Sequence, residues 1–114
     1  MKALDPLGAA RAAVSANPGR PAMTILHDTP GARLVVFRIA AGQSVPPHRN
    51  LSTVQLLVLS GSGVLTGEGD GAAAERSCEA GDLVVYEPNE LHGMRALDSE
   101  LLLLATITPS PGSR

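Results

Sequence analysis

After Pro21 the apolar residues fall in short runs, and each run ends in turn-forming residues. The runs are MTILH (23–27), ARLVVFRIA (32–40), STVQLLVLS (52–60), GVLTGE (63–68), AAERSCE (73–79), DLVVYE (82–87), LHGMRAL (91–97) and ELLLLATIT (100–108). Between them lie DTPG, AAGQSVPP, SGSG, EGDGA, AGD, PNE and LDS. Gly, Pro, Asp, Asn and Ser dominate these spacers, and they supply the unusual φ values and local hydrogen bonds that turns need. No helical period appears beyond Pro21. Eight short strands at roughly ten-residue spacing predict an all-β sandwich or barrel. RLVVFRI, VQLLVL and LLLLATI are apolar on both faces. One face fills an interior, and the other needs a second sheet or a partner subunit, so a homodimer is expected.

The first twenty residues follow another pattern. They are Ala-rich, Asp5 is placed to cap a helix, and Pro6 suits its first position. LGAARAAVSA can continue that helix until NPGRP (17–21) stops it. The expected organisation is an arm or short helix over residues 1–20, one β-barrel over 21–110 and a tail over 111–114. A chain of 114 residues leaves no room for a second barrel.

Composition narrows the chemistry. Hydrophobic residues are 44% and charged residues 18%, enough for a packed core. Aromatic residues are 2%, only Phe37 and Tyr86 with no Trp, so an aromatic platform for nucleic acid is excluded. Net charge is −2 and the arginines are scattered, which gives no electrostatic footprint for DNA or RNA. Cys78 is the single cysteine, which rules out an intrachain disulfide and a Cys-rich zinc site. Its neighbours in ERSCEAG are acidic, which disfavours a thiolate. The N-terminus lacks the uninterrupted apolar core of a signal peptide, and LLLLATI is too short to span a bilayer. A cytoplasmic protein with no membrane partner is expected. There is no Ser-His-Asp order, no phosphate-cradling loop and no dinucleotide fingerprint. His27, near DTPG, reads as a surface turn residue, and Glu87 and Glu90 as solvent-facing turn acids.

Two stretches stand apart. The first is GQSVPPHRNLSTVQLLVLSGSG (42–63), a histidine after a proline pair followed by an apolar strand and a Gly-Ser-Gly turn. The second is GDLVVYEPNELH (81–92). Their order and spacing resemble the two motifs of the cupin superfamily. In the first motif Gly42 and His48 match, Asn50 stands where a second histidine is usual, and Gln55 stands at the place of a glutamate. In the second, Gly81 and His92 match, Glu87 replaces a proline beside Pro88, and Asn89 replaces a glycine whose positive φ it can adopt. The resemblance spans about residues 22–108. It implies a double-stranded β-helix, or jelly-roll, barrel.

The resemblance also implies a metal site. Cupins commonly hold a divalent ion with three histidines and a glutamate, and the matching positions here are His48, Asn50, Gln55 and His92. By strand parity, Gln55 shares a face with Thr53 and Leu57, and His92 shares one with Met94, so these three are the expected pocket-lining residues. The donor set is then neutral. Loss of the carboxylate forfeits several kcal/mol of attraction at an effective dielectric near 20, and amide oxygens are poor donors for late transition metals. Asn50 is the shortest of the four. Iron, manganese, nickel and zinc all stay open as cofactors.

Two functions follow. One is a metal-dependent oxygenase or isomerase acting on a small polar molecule. The other is a non-catalytic ligand-binding or sensory module whose metal site has degraded. The fold accommodates both.

Overall fold

A computed structural model describes residues 1–113 of the chain. Among the described residues nine strands form two antiparallel sheets packed face to face. In chain order they are β1 (Ala22–Thr29), β2 (Ala32–Ile39), β3 (Ser44–His48), β4 (Thr53–Ser60), β5 (Ser62–Gly69), β6 (Ala72–Glu79), β7 (Leu83–Tyr86), β8 (His92–Ala96) and β9 (Leu101–Thr108). The larger sheet runs β1-β2-β9-β4-β7 and the smaller β3-β8-β5-β6. This is the expected jelly-roll barrel. Among the described residues no helix is long and apolar enough to cross a membrane.

Eight of the strands match the eight apolar runs. The ninth, β3, carries SVPPH and reads as loop in the sequence because Pro46 and Pro47 cannot donate to a ladder. It forms because it lies at a sheet edge, pairs only with β8, and breaks register between Val45 and His48. That irregular edge strand brings His48 opposite His92.

The interior is aliphatic. Val35 and Ile39 from β2, Val54, Leu56 and Val58 from β4, and Leu101, Leu103 and Ala105 from β9 fill it. A fully buried Leu or Ile side chain contributes roughly 1.5–3 kcal/mol. Tight turns keep the sheets in place. Gly61 has φ +82°, and a Cβ there would lie 2.0 Å from Glu100 O, so only glycine fits.

The doubly apolar strands bury their second face as well, and part of the cover comes from the chain itself. The helix α1 (Pro6–Ala12) begins with the Asp5 carboxylate accepting from Gly8 N–H at 3.0 Å. It is shorter than the sequence allowed. Ala10 packs against Val36 and Leu102, with Leu7, Leu26, Leu59 and Leu104 around them. The guanidinium of Arg38 donates to Arg11 O at 2.7 Å, and the amide of Gln43 donates to Pro18 O at 2.9 Å. The N-terminal segment is therefore a lid on the outer face of the larger sheet. Pro111–Ser113 form a single 3₁₀ turn, and Arg114, the end of the expected tail, lies outside the described residues.

Candidate functional site

The two motif histidines meet at one end of the barrel. His48 ends β3, His92 begins β8, and their ring centroids are 4.1 Å apart with planes tilted by 59°. Each ring is held from its Nδ1 side. His48 Nδ1–H donates to Pro46 O at 2.9 Å, and His92 Nδ1–H donates to Glu90 O at 3.2 Å. A carbonyl can only accept, so both neutral rings carry the proton on Nδ1 and leave Nε2 with its lone pair. His48 is exposed and His92 is only 4% exposed. Among the described residues no buried side-chain nitrogen or oxygen lacks a partner. His92 Nε2 has no hydrogen bond, so it must open onto accessible space.

That space is a cavity of about 50 Å³ lined by Phe37, His48, Asn50, Val54, Leu56, His92, Met94, Ala105 and Ile107. Behind His92 stands Tyr86, with ring centroids 5.2 Å apart. The Tyr86 hydroxyl donates to Thr66 O at 2.9 Å. Burial, reinforced by Glu90 and Cys78, pushes its pKa up to about 12. Burial is also the main reason why the His92 pKa is lowered. The Glu90 carbonyl opposes that shift and the charge of His48 adds to it. Both rings of the His92–Tyr86 pair are therefore kept neutral by the same dry surroundings.

A clamp sets the spacing of the two histidines. Glu68 on β5 accepts from Leu91 N–H at 2.9 Å and pairs with Arg49 at 2.5 Å. Arg49 also donates to Asn89 O at 2.7 Å, and Asn89 N–H donates to Asn50 O at 2.7 Å. Asn89 takes φ +66°, the conformation expected of it in place of glycine. Leu91 N–H, and then Arg49, hold the Glu68 carboxyl below its usual range. The residues next to both histidines are thus tied to one carboxylate. Arg49 is a tie across the barrel mouth.

Of the positions expected to line the site, His48, Asn50, His92 and Met94 do so. Gln55, Thr53 and Leu57 do not, and strand parity is the reason. On β4 the residues facing the interior are Val54, Leu56 and Val58. Gln55 pairs with Val85 and Thr106, on the outward face of the larger sheet. With three intervening residues instead of four, the carboxylate position of the first motif falls on Val54. Parity counted from His48 through Asn50 leads to Val54, and the four-residue spacing that selects Gln55 steps off that face. The sequence did hold a signal. Positions 54, 56 and 58 are all apolar, whereas the alternate set begins with Thr53 and Gln55. Phe37, Leu56, Ala105 and Ile107 also line the cavity and carried no motif.

The donor set does not fit the three-histidine, one-glutamate centre. Val54 has no donor atom, and Asn50 Oδ1 already accepts from Ser52 N–H at 2.9 Å. Among the described residues no group of three or more His, Cys, Asp or Glu is placed to hold a metal ion. Cys78 is buried apart from this cavity, and burial raises its pKa.

The Cupin domain family model matches residues 35–108. No curated protein matches the sequence. A rmlc-like cupin protein from Desulfovibrio desulfuricans is 30% identical and superposes with a TM-score of 0.77 over 96% of this chain and 97% of that one. KdgF from Halomonas sp. is 24% identical, with a TM-score of 0.74 over 88% of this chain and 89% of its own. An oxalate decarboxylase from Lactobacillus farciminis is 16% identical with a TM-score of 0.76, and it matches over 90% of this chain but 32% of its own. The last two likenesses concern the fold alone.

Proposed function

From the premise that this chain belongs to the cupin family, we propose that it is a non-catalytic ligand-binding cupin. Its barrel takes a small molecule whose hydrogen-bond donors meet the Nε2 lone pairs of His48 and His92. The observation that carries this reading is the position of Val54. The place that a metal-binding carboxylate would fill is aliphatic, and apart from Asn50 the wall around the two histidines is Phe37, Leu56, Met94, Ala105 and Ile107. Two fixed acceptors in an apolar cavity favour a neutral donor-bearing ligand, because each acceptor gains most when water is excluded. The cavity of about 50 Å³ accommodates only a few heavy atoms, since one water needs about 10–15 Å³ on this measure.

A second reading has one observation in its favour. Metal-bound imidazoles usually donate their other N–H to a carbonyl or carboxylate, and both rings here do so. In that reading His48 and His92 hold a divalent ion weakly, and water completes its coordination. Elemental analysis of protein purified without chelator separates the two. The ligand reading expects no stoichiometric iron, manganese, nickel or zinc. It also expects no rise in melting temperature on adding these ions, and small donor-bearing molecules whose binding is lost in His92→Gln. One bound metal per chain, removed by His48→Ala, overturns it.

A further inference from the structure

A second, larger recess adjoins the barrel cavity. It is a groove of about 540 Å³ between the arm that leads into β1 and the edge strand β3. This volume is in the range of small-molecule sites, roughly 300–1,000 Å³, whereas the inner cavity holds about 50 Å³. Phe37 lines both, so the two recesses meet at this residue. The groove wall is apolar along Met23, Phe37, Val45 and Pro46. At its inner end, Pro46 is the residue whose carbonyl orients His48.

The groove has one charged residue, Arg20, and no acidic one. Arg33, Arg38, Arg49 and Arg95 are neutralised by Asp28, Glu100, Glu68 and Glu75, whereas among the described residues Arg20, like Arg11 and Arg76, makes no ion pair. A cation without an ion-pair partner beside an apolar trough matches a molecule with an apolar body and one anionic end. A planar carboxylate is the anion that a guanidinium fork binds best among simple organic acids. We propose that this groove binds an amphipathic monocarboxylate, its chain along Met23, Phe37 and Val45 and its carboxylate on Arg20. Phe37 separates that ligand from the imidazole pair. The assignment of what lies behind Phe37 rests on the ligand reading above, whereas the groove site is tested separately.

The test uses octanoate, octanol and octylamine as probes, with the methyl resonances of Met23 and Val45 reporting the groove and the ring resonances of His92 reporting the barrel. Octanoate should shift the two methyl groups saturably and bind more tightly than the alcohol or the amine. Arg20→Gln, a surface change that spares the fold, should weaken octanoate about tenfold and leave octanol unchanged. Phe37→Leu, with Phe37→Ala as a second variant checked by circular dichroism, should let octanoate move the His92 signals that it leaves still in the native protein. Equal affinity for all three probes overturns the proposal, as does octanoate binding that Arg20→Gln leaves intact. Methyl shifts that depend on protein concentration without any probe also overturn it, because a second copy would then fill the groove. Failure of the imidazole-pair reading shows instead as bound metal, with the Met23 and Val45 responses unaffected.

Discussion

Tyr86 is the only tyrosine in a chain without tryptophan, so its near-ultraviolet absorbance reports one side chain at the back of the imidazole pair. The residue is 2% exposed, and its hydroxyl is spent on Thr66 O. Burial is the first cause of a pKa raised from 10.0 to about 12, and the charges of Glu90 and Cys78 add to it. The fold therefore favours the neutral phenol. A rise from 10.0 to about 12 corresponds to roughly 3 kcal/mol at about 1.4 kcal/mol per pH unit. The folded pKa lies above the unfolded one, so this stability is complete below pH 10 and is lost as pH climbs toward 12. The assay combines a tyrosinate absorbance titration with urea melts at stepped alkaline pH. Ionisation should lag well behind that of free tyrosine while the fold persists. The Tyr86→Phe variant should lose about 1 kcal/mol at neutral pH, the value of one hydrogen bond, and should lack this component of the alkaline decline. Ionisation at the free-tyrosine pKa in a protein still native by circular dichroism would refute the reasoning. So would a Tyr86→Phe variant with an unchanged alkaline slope.

Three further outcomes follow from the same geometry. Burial lowers the His92 pKa below its ordinary 6.5, so its share of stability is complete above that pH and is lost as pH falls toward the folded value. His92→Gln should flatten this acid limb in stepped-pH melts, and an unchanged limb contradicts it. Replacing Glu68 with Ala releases Leu91 N–H and Arg49 together, and it should broaden the imidazole resonances of both histidines. Unchanged line widths would show that the clamp does not position them. The helix α1 covers only part of the larger sheet, and Leu83 and Val85 stay 59% and 51% exposed. We propose that a second copy covers them, as the doubly apolar strands led us to expect. Sedimentation should find a dimer that a Leu83→Lys, Val85→Lys double variant dissociates, and a native monomer would contradict it.

Much of the fold was legible because alternation and turn chemistry agree along the chain. All eight apolar runs became strands, since each ends in residues that cannot continue one. Strand β3 escaped because Pro46 and Pro47 suppress the local signal, and only an edge position beside β8 makes the strand feasible. The cover supplied by α1 escaped for another reason. A seven-residue helix has no stable packing by itself, and what it packs against lies in strands far along the chain. In the site, His48 and His92 were legible from motif spacing. Gln55 was misplaced by a single residue of parity, which in a strand exchanges interior for exterior. The Arg49–Glu68 clamp joins the loop after β3 to strand β5, and no local pattern announces it.

The central claim is that β4 points Val54, not Gln55, at the imidazole pair. Zinc and nickel binding by Val54→Glu and Gln55→Glu, measured by calorimetry with folding checked by circular dichroism, tests it most directly. A carboxylate at 54 sits among His48 and His92 and supplies the missing charge, so Val54→Glu should bind one ion per chain. Its melting temperature should fall without metal, because a carboxylate is then buried unpaired, and recover with it. The Gln55→Glu variant, with its new charge on the outer face, should bind no more metal than the native protein. One ion bound by Gln55→Glu and none by Val54→Glu would contradict the account.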